Sequence, residues 1–137
     1  DHPGLGMGLV DGDGQCTGIV QRMNPATFDD DFQALWKREM LSGVYRPTWV
    51  DVRVDAEPSA PPLRALTFVV DTTHRQCAEG LSREEQVAII ARASGEWGAC
   101  SDYLIRMIDA LEGHGIDDPD MRALRDEVRA FRPVEDG

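Results

Sequence analysis

The chain has 137 residues, 42% of them apolar, and a formal net charge of −11. That length suits one small domain with a real hydrophobic core, and the acidic balance argues against nucleic acid or an anionic membrane as a partner. No apolar run approaches the roughly eighteen residues of a membrane-spanning helix.

The first residues, Asp1-His2-Pro3-Gly4, have neither the positive flank nor the apolar segment of a signal peptide. Leu5 to Val10 alternates small and apolar residues and ends at Asp11-Gly12-Asp13-Gly14, which predicts a hairpin turn. Gln15 to Met23 is then expected to return as a second strand. Gly6, Gly8 and Gly18 point to bending or close backbone approach within this pair. Asn24-Pro25 predicts a helix start, with asparagine as N-cap and proline at the first position. Asp29, Asp30 and Asp31 follow where the dipole favours anions. Phe28, Phe32, Leu35 and Trp36 recur at helical spacing and form one apolar stripe, expected to face the core.

Glu39 stands seven residues beyond Phe32, on nearly the same side as that stripe, and in the last turn before Ser42-Gly43. An anion there opposes the helix dipole, and a glutamate aimed inward is unusual. Such a group is either solvated and tolerated or kept for proton transfer.

Thr48 to Val54 reads as a half-buried strand, with Val50, Val52 and Val54 on one side and Trp49, Asp51 and Arg53 on the other. Asp55 to Pro62 is a loop rich in proline and alanine. Leu63 to Val70 is a near-continuous apolar run, expected to be a central strand covered on both faces and paired with the preceding strand as a hairpin. Asp71 to Gly80 is a polar loop. Ser82 and Glu85 predict a capping box, and the helix beyond them turns Val87, Ile90 and Ala91 inward. Gly95-Glu96-Trp97-Gly98 breaks it. A further helix from about Ser101 to Glu112 carries Tyr103, Leu104, Met107, Ile108 and Leu111 on its apolar face. Asp118-Pro119 opens the last helix, with Met121, Leu124, Val128 and Phe131 as its stripe, and Arg132 to Gly137 is a frayed tail. Strands first and helices later, without β–α alternation, give an α+β fold.

Familiar catalytic patterns are missing. Gly4-Leu5-Gly6-Met7-Gly8 lacks dinucleotide-binding spacing, and there is no Gly-x-Ser-x-Gly turn, His-Glu-x-x-His pair or phosphate loop. Cys16, Cys77 and Cys100 are odd in number and widely separated, which fits reduced thiols in the cytoplasm. His2, His74 and His114 are equally scattered, so no metal site is expected. Cys77 lies beside His74 and Arg75, but a loop thiol without a positioned base is usually inert. Acid–base work by one carboxyl group remains.

Arg38-Glu39-Met40 followed by Gly43-Val44-Tyr45-Arg46-Pro47 resembles the signature of the ChaC-type, glutathione-specific γ-glutamylcyclotransferases. The likeness continues through Ala65–Asp71, His74 and Gly98–Leu104, and so covers almost the whole chain. It implies a mixed, strongly bent sheet closing as a small barrel, with C-terminal helices. It also implies a lyase in which the substrate's own α-amine attacks its γ-carbonyl, giving 5-oxoproline and Cys-Gly. Glu39 would be the general acid/base. Tyr45, Arg46, His74 and Tyr103 would bind the γ-glutamyl peptide, glutathione, without metal or cofactor. Each has a plainer alternative: a surface ion pair for Arg46, a core aromatic for Tyr103, a solvated loop side chain for His74.

The chain departs from the family pattern twice. Cys77 stands where many relatives have tyrosine. The family's first strand and its tyrosine-glycine-serine-leucine loop, which holds the glutamyl group, have no counterpart here. Residues 1–137 are therefore expected to be a single domain lacking that N-terminal strand and loop. The sheet edge so left open predicts a dimer, or an added N-terminal segment that completes the sheet. The competing functional reading is a non-catalytic binding or regulatory protein on the same scaffold.

Overall fold

The computed structural model describes residues 3–96 and 98–132. They form four helices, α1 (Phe28–Met40), α2 (Arg83–Arg92), α3 (Cys100–Gly113) and α4 (Pro119–Ala130). Two antiparallel pairs of strands accompany them: β1 (Tyr45–Val52) with β2 (Leu63–Val70), and β3 (Ser94–Gly95) with β4 (Gly98–Ala99). The class is α+β, as expected. The chain divides into two compact units, Gly8–Cys77 and a second made of Asp1–Met7 with Ala78–Gly137.

In the first unit β1 and β2 pair from Tyr45 opposite Val70 to Val52 opposite Leu63. The Asp71 N–H donates to the Val44 carbonyl at 2.8 Å, which fixes the alternation of the ladder. Arg46 and Val69 are consequently a hydrogen-bonded pair, and Pro47 and Phe68 are not. Proline has no N–H to offer, and at this position the ladder asks for none. Val50, Val52 and Val54 are half-buried while Trp49, Asp51 and Arg53 are exposed, so the predicted alternation holds.

α1 docks on this hairpin through aromatic contacts. Phe28 and Phe32 stack with centroids 5.4 Å apart, and Trp36 meets Phe68 edge-on at 6.3 Å. The helix therefore lies on the sheet face that carries Phe68, together with Tyr45, Pro47 and Trp49.

Several expectations for this unit need correction. The helix begins at Phe28, because the Asn24 side chain accepts the Ala26 N–H at 3.0 Å and so closes a turn ahead of it. The aromatic stripe is not core: α1 buries none of its residues. The hairpin expected from Leu5 to Met23 is absent. Instead Leu9 makes one parallel bridge to Val69, its carbonyl accepting the Val70 N–H at 2.7 Å. Alternation there was too interrupted by glycine to stabilise a ladder, and residues 11–22 are exposed throughout. Nor is β2 covered on both faces. Val69 alone of its residues is buried, since only one neighbouring strand flanks it. Among the described residues no closed barrel forms.

The second unit follows its sequence more closely. The Ser82 hydroxyl accepts the Glu85 N–H, and the Glu85 carboxylate accepts the Ser82 N–H at 2.7 Å, a complete capping box. Asp118 caps α4 by accepting the Met121 N–H at 3.1 Å, with Pro119 in its first turn. Val87, Ile90, Leu104, Ile108, Leu124 and Val128 close a core among α2, α3 and α4, with Leu5 packed against it. Arg125 on α4 donates to the Glu112 carboxylate on α3 at 3.1 Å. Tyr103, expected on the apolar face of α3, is exposed. The Gly95–Gly98 break is a miniature hairpin, β3–β4, that sequence reading treated as a plain interruption. Trp97 and the predicted frayed tail from Pro133 lie outside the described residues.

Candidate active site

Within the unit Gly8–Cys77, α1 delivers Glu39 in its final turn, and four residues, 41–44, lead from there into β1. Gly43 makes the reversal at φ 72°, a left-handed conformation that a side chain would strain. Its N–H donates to Met40 O at 3.3 Å, and the Val44 N–H reaches the Ser42 hydroxyl. A short, hydrogen-bonded turn thus fixes the helix carrying Glu39 against the strand carrying Tyr45.

The Glu39 side chain is 21% exposed, shielded but not sealed. One oxygen, Oε1, accepts from Arg38 Nε at 2.9 Å, and the Arg38 guanidinium itself is largely in solvent. The other oxygen, Oε2, makes no hydrogen bond to a described residue. A carboxylate with one oxygen held and one open is suited to taking and returning a proton.

Tyr45 is half-buried on the α1 face, and its ring lies against the backbone of Gly8. A Cβ at Gly8 would stand 3.6 Å from Tyr45 Cε1 and would collide with Val70, so the close approach requires glycine. Arg46, the next residue, projects to the opposite face of the sheet. There it forms an ion pair with Asp11. Strand alternation therefore separates two residues that adjacency in sequence suggested as neighbours in one site.

The loop after β2 brings a third group. His74 is half-buried, and its Nε2 lies 3.9 Å from where a Gly43 Cβ would be. Asp71, at the start of that loop, accepts from both the Thr73 hydroxyl at 2.7 Å and the Thr73 N–H at 2.9 Å. These two bonds hold the Asp71 carboxyl below its ordinary range. Partial desolvation opposes them, and the nearby charge of Arg46 reinforces them. Asp11 and Asp71 were not singled out from the sequence. The Asp-x-Thr order of a side-chain turn was the available signal for Asp71; Asp11 gave none.

Tyr103 belongs to the helical unit, where it is 45% exposed on α3. Cys77 is a half-buried free thiol whose N–H donates to the His74 carbonyl at 2.8 Å. A shallow concavity of about 620 Å³ runs along α1 between Asp30 and Lys37 and does not include Glu39. Asp30, Gln33 and Lys37 line it beside Ala34 and the aromatic Phe32 and Trp36, and none of the site residues expected from the sequence is among them. Among the described residues no group of three or more His, Cys, Asp or Glu could hold a metal ion. No described helix is long and apolar enough to cross a membrane.

A carboxylate at a helix exit, a glycine turn and a tyrosine opening the next strand thus follow one another around a single reversal of an α+β scaffold. Residues 1–131 match the family described as ChaC-like protein, and the chain belongs to that family. Among curated proteins it is 30% identical over 128 residues to the glutathione-specific gamma-glutamylcyclotransferase of Escherichia coli (strain K12). The match takes in 93% of this chain and 54% of that protein, so the chain spans about half the relative's length.

Proposed function

We propose that this protein is a γ-glutamylcyclotransferase that degrades glutathione to 5-oxoproline and Cys-Gly. The observation that carries the reading is Glu39, shielded at the end of α1 with Oε2 bonded to none of the described residues, within a family match that spans residues 1–131. The substrate's α-amine is tethered to the γ-carbonyl it attacks, so closing a five-membered ring needs little help with encounter. Glu39 accepts a proton from the α-ammonium as its nitrogen bonds to the γ-carbon, and returns it to the cysteinyl nitrogen as the bond from that carbon to this nitrogen breaks. The second proton that the ring nitrogen sheds also ends on the leaving amine, which departs as an ammonium. Ring closure thus leaves a neutral lactam and an ammonium, and no redox step or external nucleophile is involved.

Tyr45 lies on the same sheet face as α1, which supports reading it as a residue that binds the substrate or orients Glu39. Arg46 faces the other side of the sheet, paired with Asp11, so its reading as a binding residue rests on the family motif alone. Tyr103 is a binding residue on the strength of the family motif Gly98–Leu104 alone. The single parallel bridge between Leu9 and Val69 supports reading β1 and β2 as part of a larger, bent sheet of the family type. The free thiols fit a cytoplasmic setting.

Glu39→Gln keeps the shape of the side chain and removes its basicity. Incubated with glutathione, the wild-type protein should release 5-oxoproline, and Glu39→Gln should do so about 10²–10⁴-fold more slowly with an unchanged melting temperature. Binding of glutathione with no product from either protein would instead identify a non-catalytic binder.

A further inference from the structure

His74 sits at the Gly43 turn, yet the reaction as described has no proton for it to carry. Its ring is fixed from both ends of its loop. The Asp71 N–H is bonded to Val44 on β1, the His74 N–H donates to Asp71 O at 2.9 Å, and Thr73 ties down the Asp71 side chain. On the far side, the Gln76 N–H donates to His74 Nδ1 at 3.2 Å. A nitrogen that accepts a hydrogen bond bears no proton, so the uncharged ring carries its hydrogen on Nε2. That nitrogen is the one beside Gly43, 3.9 Å from the position a Cβ there would occupy. Nε2 has no hydrogen-bond acceptor among the described residues. A donor oriented by backbone, open to solvent at the turn that follows Glu39 and bonded to no described residue, is free to exchange water for a ligand oxygen.

We infer that His74 is a substrate-binding donor of fixed tautomer, giving its Nε2–H to a carboxylate oxygen of an anionic γ-glutamyl peptide, while the Gln76 amide sets which nitrogen faces the ligand. The identity of that ligand rests on the γ-glutamylcyclotransferase reading; the tautomer does not. The division of labour is definite: Glu39 moves protons, and His74 holds an anion. The absence of a side chain at Gly43 leaves room for that oxygen.

Long-range ¹H–¹⁵N correlation spectra of uniformly ¹³C,¹⁵N-labelled protein test this directly, with the His74 ring assigned through bonds from its own backbone amide. The expected spectrum has an unprotonated Nδ1 and a protonated Nε2, and the Nε2–H resonance moves on titration with glutathione. Kinetically, His74→Ala should lose ten- to hundredfold in kcat/KM, mainly through KM, as for a hydrogen bond to a charged group. His74→Gln, whose amide nitrogen falls near the Nε2 position, should recover most of that loss. A proton on Nδ1, or an Nε2–H signal unmoved by saturating glutathione, overturns the inference even if the variants fail to fold. Missing 5-oxoproline from a wild-type protein whose His74 signal does respond overturns the catalytic proposal and leaves this one standing.

Discussion

The helical unit and the hairpin unit are built on different physical terms. In the former, Ile108 at 2% exposure anchors a closed cluster drawn from α2, α3 and α4. In the latter Val69 is the one buried hydrophobic among the described residues, and Leu41, Trp49 and Leu63 stand more than half exposed. Burial holds the first together. Backbone ladders, aromatic contacts and tight turns hold the second. The residues proposed for chemistry, apart from Tyr103, all belong to the unit with the smaller core. Precise placement of Glu39, Tyr45 and His74 is thus the work of hydrogen-bonded turns around Gly43 and Asp71 more than of packing.

That contrast should be visible in stability. Ile108→Ala removes buried methyl groups from a closed core and is expected to cost about 2–5 kcal/mol. Leu41→Ala, at a residue 84% exposed, should stay within about 0.5 kcal/mol. Urea denaturation of the two variants compares them, and equal costs would break the distinction. Gly43→Ala sharpens it from the other side. With φ at 72° the added Cβ should cost about 1–2 kcal/mol although nothing around it is tightly packed. A fully tolerated alanine would show that the turn is looser than its geometry.

Acid offers a finer comparison, because each unit holds one carboxylate below its ordinary value. Glu85 is held there by the Ser82 N–H and then the Ser82 hydroxyl, and Asp71 by the Thr73 hydroxyl and then the Thr73 N–H. A depressed folded value means that stabilisation is complete above the ordinary values of 4.5 and 3.8, and is lost as pH falls through the folded ones. Ser82→Ala should cost about 1 kcal/mol at neutral pH through the lost cap. It should also flatten the acid limb by the part of the Glu85 share that the hydroxyl supplies, while the larger part from the Ser82 N–H and the Asp71 share persist. An unaltered acid limb, followed by circular dichroism, would remove the Ser82 hydroxyl from that account.

How much could be read in advance follows the same divide. The caps at Ser82 and Asp118 and the stripes of α2 and α4 are local signals, and the structure reproduces them. Alternation and the apolar run marked β1 and β2 and their antiparallel pairing, although β1 spans Tyr45–Val52 and not Thr48 to Val54 as expected. The failures came where the outcome depends on distant partners. Leu5 to Met23 had strand-like residues but no neighbour to pair with beyond Val69. Glu39 was legible as an inward-leaning carboxylate, yet its bond to Arg38 was not, since adjacent helical side chains rarely meet. The separation of Tyr45 from Arg46 was implicit in the period of any strand. It becomes visible once the residues are assigned to β1 instead of to the turn.

The contact at Leu9 gives the open side of β2 a polarity. With Val70 donating outward to Leu9, the amides of Phe68, Leu66 and Arg64 point the same way, and only chain running co-directionally with β2 can continue the pattern begun there. A tight reversal from β2 itself cannot supply such a chain; a crossover connection must. An antiparallel intruder is left only the stretch of edge beyond Leu9, so one end of this margin is guarded by direction before any side chain is read.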